Sequence, residues 1–446
     1  MNNKNIRCDI FCNVIDNYGD IGVCWRLARQ LANEQGVAVR LWVDDLSSFA
    51  MLCPEADAAS EKQKCRGVEV RRWSKSFPEI QPADLVIEAF ACQLPESYIA
   101  AMAAQAQQPV WINLEYLSAE DWVQGCHKLP SPHPNLPLTK YFFFPGFTAQ
   151  TGGLLLERDL LARRDAFQND AVQQQAFWQS VGMEKPAADT LKISLFAYEN
   201  AALHGLFDAW TTSPQPVLCL VPEGRILPQV GQYFGDHTPH AGSIYARGNL
   251  RMRVLPFVEQ ERYDLLLWAC DINFVRGEDS CVRALWAGHP FVWQIYPQHD
   301  AVHLKKLHAF LSLYNSQLSR SASQALQGLW NSWNSGDLKI QTPLDPPLSG
   351  GVAHSPPLTA EGSLRSSGES SGVLLAGTRR GREGLSQVST TAREAWPAFA
   401  AELSELNQHA QHWSRQLTEN NLALNLLDFC REIGRMRALK SEGQSS

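Results

Sequence analysis

Residues Cys8–Leu31 read CDIFCNVIDNYGDIGVCWRLARQL: an apolar run, a short polar turn, then a helical pattern. A buried strand that feeds a helix through a tight turn is the opening unit of an open α/β sheet. Such a turn is where a phosphate usually sits, because the helix N-terminus offers free N–H groups and the positive end of its dipole. This turn, however, carries two carboxylates, Asp16 and Asp20. They would repel a pyrophosphate and suit a cationic or proton-releasing guest. Each also has a plainer reading, since an Asp after a strand turns the chain, and Asp20 is placed to cap a helix beginning near Ile21.

The alternation continues outward from this unit. VAVRLWV, ADLVIEAF, PVWINLEYL and YFFFPGF are buried-strand runs separated by helical stretches. After a helical stretch ending near Gly182 the pattern restarts with LKISLFAY, PVLCLVP, RMRVLPFV, DINFV and PFVWQI, interleaved with helices such as ERYDLLLWA and SCVRALWAG. Apolar strands alternating with helices imply parallel sheets covered on both faces. The expected architecture is α/β, with two Rossmann-like domains in tandem and a hinge near residues 183–190. The expected divisions are 1–184, 185–412 and a final helix within 413–446 that returns to the first domain. Residues 334–392 are rich in Ser, Gly and Pro, without periodicity, and read as a disordered insertion or long loop.

With 446 residues and 45% hydrophobic side chains, the chain can bury two substantial cores. Its formal charge of -7 is spread without long single-sign blocks, which argues against a general nucleic-acid binder. Eleven Cys lie singly, with no CxxC pair, as expected for reduced thiols. No stretch approaches the roughly 20 apolar residues that span a bilayer, and the start MNNKNIRCDIF lacks a signal-peptide h-region. A cytoplasmic protein with neither a membrane nor a nucleic-acid partner is expected.

The second informative stretch is INFVRGEDSCVRALWAGHPFVWQIYPQHDAVHLKKL. It places Arg276, Gly277, Glu278, Asp279 and Ser280 where a strand gives way to a helix. Asp279 or Ser280 can cap that helix, and N–H groups beside Arg276 form a site for phosphate oxygens. A cap with no ligand is the plainer alternative. Phe257, Gln260 and Tyr263 in LPFVEQERYDLLL, with Phe196 and Tyr198 in SLFAYEN, offer stacking faces and a placed amide for a nucleotide base at the same rim. Each aromatic alone reads first as core, and it is their joint position at the rim that points to a pocket. His299 and His303 have i, i+4 spacing but no third ligand motif, so they read as a helix surface, and no metal or cofactor is expected.

Two Rossmann-like halves with a nucleotide turn in the second resemble the GT-B glycosyltransferases. More narrowly, DNYGDIGVCWRLARQL, INLEYLSAEDW, YFFFPGF, LPFVEQERYDLLLW and NFVRGEDSCVRALWAGHPFVWQIYPQ resemble the bacterial family of protein-arginine rhamnosyltransferases that mature elongation factor P. The resemblance runs over nearly all of residues 6–330 and the C-terminal helices. It implies an inverting transfer of rhamnose from dTDP-β-L-rhamnose to one arginine of elongation factor P. It further implies Asp20 as general base, Asp16 as a holder of the acceptor arginine, and Glu278 in support of catalysis. Phe196, Tyr198, Phe257, Gln260 and Tyr263 would line the nucleotide pocket, and Arg276, Asp279 and Ser280 would hold the donor's phosphates and ribose. The rival readings are a nucleotide-sugar epimerase or glycosyltransferase acting on a small molecule, and a sugar-nucleotide-sensing protein without a base.

Overall fold

The computed structural model describes residues 6–15, 18–297, 302–335 and 391–443, with side chains to 437. Asp16, Gln298, His299 and residues 336–390 of the Ser/Gly/Pro-rich segment therefore lie outside the described residues.

The first sheet holds β1 (Arg7–Cys12), β2 (Ala38–Val43), β3 (Lys62–Cys65), β4 (Val68–Arg72), β5 (Leu85–Ala89), β6 (Val110–Leu114), β7 (Pro130–Pro132) and β8 (Thr139–Phe143), in the order β3-β4-β2-β1-β5-β6-β8-β7. Its pairings are parallel except for β3 and β7 at the two edges. Both faces are covered, which explains the unbroken apolar runs. Ile10, Leu41, Ile87 and Ile112 enter one core, while their neighbours Phe11, Trp42, Val86 and Trp111 enter the other. This is the two-residue period of a strand. The charged hairpin β3–β4, KQKCRGVEVRR, escapes the sequence reading because a partly exposed edge needs no apolar run. Its turn uses Arg66 and Gly67, both at positive φ (43° and 88°).

The second sheet holds β9 (Leu191–Leu195), β10 (Val217–Pro222), β11 (Ile244–Arg247), β12 (Leu250–Leu255), β13 (Ile272–Arg276) and β14 (Phe291–Gln294), in the order β11-β12-β10-β9-β13-β14. Only the edge strand β11 is antiparallel to its neighbour. The two doubly wound sheets are those of a GT-B fold. Strand order reverses at β1 in the first sheet and at β9 in the second, and ligands bind outside the carboxyl ends of strands at such switch points.

Two crossings tie the halves together. The helices Leu160–Asn169 and Ala171–Ser180 precede the second sheet but send Leu160, Phe167, Phe177 and Trp178 into its core. At the far end Leu417 belongs to the second core, whereas Leu422, Leu426 and Phe429 of the helix Leu422–Gly443 enter the first.

Four local expectations are corrected. The span 334–392, read as an insertion or loop, is helical at both ends: Asn334, buried, and Ser335 finish the helix Arg320–Ser335, and Ala392 opens the helix Ala392–Ala401. The first helix spans Gly19–Gln35, two residues earlier than read, so Asp20 lies inside its first turn and is not its cap. The helix after β13 likewise starts at Gly277, with Arg276 at the N-cap position and no side-chain cap. Asp279 and Ser280 therefore do not cap it. His303 is buried at 3% exposure in the helix Val302–Tyr314, where a surface residue was expected.

Candidate active site

Two cavities open between the halves at these switch points. The first has an empty volume of about 600 Å³, and Phe196, Tyr198, Phe257, Gln260, Tyr263, Arg276, Asp279 and Ser280 all line it. The second, of about 890 Å³, is lined by Asp20 and Glu278 together with Phe90, Tyr116, Trp293 and Lys306. Gly19 and Gly277 line both cavities, so the two meet at the starts of the facing helices.

Arg276 ends β13, and its backbone turns at once into the helix Gly277–Ala287 through Gly277 at φ 64°. Its guanidinium lies 4.5 Å from the ring centroids of both Phe196 and Tyr198. Cation–π contacts of this kind hold a charge without consuming its N–H groups. Nη1 is buried without a hydrogen-bond acceptor. A buried charged donor left unpaired is costly, so the site favours an anion beside it. The Ser280 hydroxyl donates back to the carbonyl of Arg276. Tyr263 packs edge-on to Phe196 at 5.7 Å, and burial, with Asp279 nearby, pushes its phenol well above the usual range.

Phe257 meets Tyr18 of the first domain at 4.8 Å. Gln260, read as a group for a base, spends its amide on the first domain: Nε2 donates to the Gly22 carbonyl at 3.0 Å, and Oε1 accepts from Arg29 at 3.2 Å. A Cβ on Gly22 would stand 3.1 Å from that Nε2, so glycine permits this close approach. Asp279 also faces the first domain, accepting from Arg26 Nε at 2.7 Å. Behind it, Arg283 binds Asp264 through two bonds of 2.8 and 2.7 Å and Glu157 at 2.6 Å. Burial raises the Glu157 carboxyl, but Arg283 and Arg26 outweigh it and hold the group well below its usual range.

In the second cavity Asp20 is 4% exposed, and its Oδ2 accepts the backbone N–H of Ile15 at 3.0 Å. Glu278 accepts the N–H of Leu117 at 2.9 Å, tying the donor-side helix start to the first domain. Phe90 and Tyr116 stack at 4.5 Å and 20°, and Lys306 Nζ sits 5.6 Å from the Tyr116 ring centroid. Phe90, Ala91 and Gln93 all have positive φ (56°, 54° and 56°), a strained turn at the carboxyl end of β5. Strain of this kind concentrates at functional sites. Sequence reasoning missed Tyr18, Phe90, Tyr116, Trp293 and Lys306, which carry no spacing signal of their own. It also missed that Cys53, Glu55 and Cys65, outside both cavities, bring ligand-type atoms within 4.8 Å of one another.

A phosphate-ready pocket in one Rossmann-like domain and a carboxylate-lined cavity toward the other, joined at two helix starts, define a GT-B glycosyltransferase. Residues 8–431 match the family described as Elongation-Factor P (EF-P) rhamnosyltransferase EarP, and the chain belongs to that family. A protein-arginine rhamnosyltransferase of Pseudomonas putida is 57% identical over 327 residues, covering 73% of this chain and 86% of that protein. One from Pseudomonas aeruginosa is 52% identical over 328 residues, with coverages of 74% and 87%. A solved structure concerning EarP-mediated arginine glycosylation of translation elongation factor EF-P superposes with a TM-score of 0.61 at 35% identity, over 96% of this chain and 99% of that one. The chain is thus an enzyme, a glycosyltransferase of the protein-arginine rhamnosyltransferase type. Among the described residues no helix is long and apolar enough to cross a membrane.

Proposed function

We propose that this enzyme moves rhamnose from dTDP-β-L-rhamnose to the guanidinium of one arginine in translation elongation factor P, with inversion, in the cytoplasm. The observation that carries this reading is the adjacency of the two cavities: an Arg276 pocket suited to a diphosphate opens at Gly19 and Gly277 onto a cavity holding Asp20 and Glu278. The names of the relatives supply the sugar and the amino acid, and the solved EarP structure supplies the protein acceptor.

An arginine side chain has a pKa above about 12, so no carboxylate deprotonates it beforehand. A carboxylate can orient the guanidinium through charge-assisted hydrogen bonds and accept a proton as the new C–N bond forms. Asp20 takes that role, held in place by the Ile15 N–H, while Glu278 and Asp16 help to hold the cation. A guanidinium nitrogen attacks the anomeric carbon on the face opposite the leaving group, the C–O bond to the diphosphate breaks through an oxocarbenium-like state, and the nitrogen's proton passes to Asp20. Arg276 and the start of the helix Gly277–Ala287 meet the charge on the departing dTDP, with Asp279 and Ser280 beside them. Phe196, Tyr198, Phe257 and Tyr263 enclose the nucleoside. The reaction so written uses no metal and no cofactor.

Incubating purified elongation factor P with the enzyme and dTDP-rhamnose, followed by peptide mass spectrometry, tests the reading. A single deoxyhexose on an arginine is expected. Release of dTDP with an unmodified protein would instead favour a small-molecule acceptor.

A further inference from the structure

Arg26 lies on the helix that carries Asp20, six residues further on, and is 2% exposed. At a rise of about 1.5 Å per residue the two sit about 9 Å apart along the axis, nearly two turns of one rigid rod. The Arg26 guanidinium points out of the first domain into the second. Nε donates to Asp279 Oδ1 at 2.7 Å, Nη2 lies 3.5 Å from the Gln260 carbonyl and 3.6 Å from Asp264 Oδ1, and Nη1 lies 3.4 Å from Glu157 Oε1. These contacts are unequal. Asp264 and Glu157 already have Arg283 as their nearer partner, so the short bond to Asp279 is the one that Arg26 serves best. The other oxygen of Asp279 faces the Gln260 amide at 3.4 Å, and that amide in turn holds Gly22, two residues after Asp20.

We propose that Arg26 is a positioning residue for the transfer: it locks the Asp20 helix of one domain to the donor-side carboxylate Asp279 of the other, setting the base and the sugar donor in one register. The inference rests on the proposed roles of Asp20 and Asp279. A planar fork is required because one side chain must serve an Asp279 oxygen along one edge and the Gln260–Asp264 side along the other. A lysine keeps the charge but offers a single point, so it preserves neutralisation and loses the geometry. Misplacement by about 1 Å can cost on the order of 10²-fold in rate.

The test is a cycle of R26Q, D279N and the double variant, with R26K as the charge-retaining control against loss of folding. For each, thermal unfolding, dTDP affinity by calorimetry, and kcat and KM for donor and for elongation factor P are measured. R26K is expected to fold like the wild type with kcat reduced at saturating substrates and acceptor KM little changed. R26Q is expected to lose about 10–100-fold in kcat, and in the D279N background to lose little more, because both act through one contact. A wild-type kcat for R26K and R26Q, or a full R26Q loss added to that of D279N, overturns the inference while leaving the donor site standing. Kinetic losses that track the unfolding temperature and vanish on cooling would also overturn it, reducing Arg26 to a stabilising ion pair. If D279N itself shows wild-type donor KM and kcat, Asp279 leaves the donor site, and the inference fails with it by a separate signature.

Discussion

The backbone N–H of Ile15 donates to the Asp20 carboxylate at 3.0 Å, so the loop leaving β1 closes onto the first turn of the helix it feeds. The bond fixes one oxygen and leaves the carboxylate among the residues lining the acidic cavity. Asp20→Asn keeps the size and removes the proton acceptor. Transfer is expected to fall by a factor on the order of 10²–10⁴, with dTDP affinity retained because Asp20 lines the second cavity and not the donor pocket. Single-turnover kinetics beside calorimetry check both halves, and a folded Asp20→Asn enzyme working at the wild-type rate would return Asp20 to a loop-closing role.

Arg276 is the donor-side counterpart. Truncation to Ala removes a charge-assisted contact to the leaving group and the cation that lies over Phe196 and Tyr198. The dTDP affinity should weaken by about 1.5–3 kcal/mol. Calorimetric titration of the folded variant decides the matter, and an unchanged Kd would remove Arg276 from the diphosphate site.

A pH effect follows from His127, whose Nδ1 accepts the N–H of Phe144 at 3.1 Å. Burial, and then Lys128, pull its pKa down from 6.5 to about 4. The folded state therefore prefers the neutral ring, and the unfolded chain binds its proton at higher pH. The stabilisation is present above pH 6.5 and is lost as pH falls toward 4. His127→Gln, which retains an acceptor for Phe144, should flatten this part of the pH dependence. Urea midpoints of both proteins at pH 7.5 and about 5 provide the comparison, and parallel decreases would exclude His127 as the source.

The helix Arg320–Ser335 and the helix Ala392–Ala401, which flank the Ser/Gly/Pro-rich segment, pack against each other, and both contribute to the second core. Thr391 closes a capping box with Glu394 at the start of the latter. Deleting residues 340–385 and bridging the ends with a short Gly/Ser linker should leave folding and transfer nearly intact, since loop length enters closure entropy only logarithmically. Unfolding temperature and rhamnosylation rate are the readouts. Insoluble expression would show that the deleted segment packs.

By itself the sequence determined the two α/β halves and the rim that carries the donor-side residues. Strands buried on both faces leave unbroken apolar runs, and side chains at consecutive strand ends fall on one edge whatever the details of packing. Phe196, Phe257 and Arg276 could thus be placed together from local pattern alone. The resemblance to a known family supplied their roles and that of Asp20. Only the tertiary structure decided what Asp279 and Gln260 touch. Asp279 meets Arg26 across 253 residues of chain, and Gln260 meets Gly22 across 238. Such pairings leave no period in either segment, because each residue looks locally like an ordinary helix polar group. The same holds for Phe90 and Tyr116, which stack only because β5 and β6 lie side by side. Periodicity reports which face of an element is buried, and the partner that buries it is chosen when the domains close.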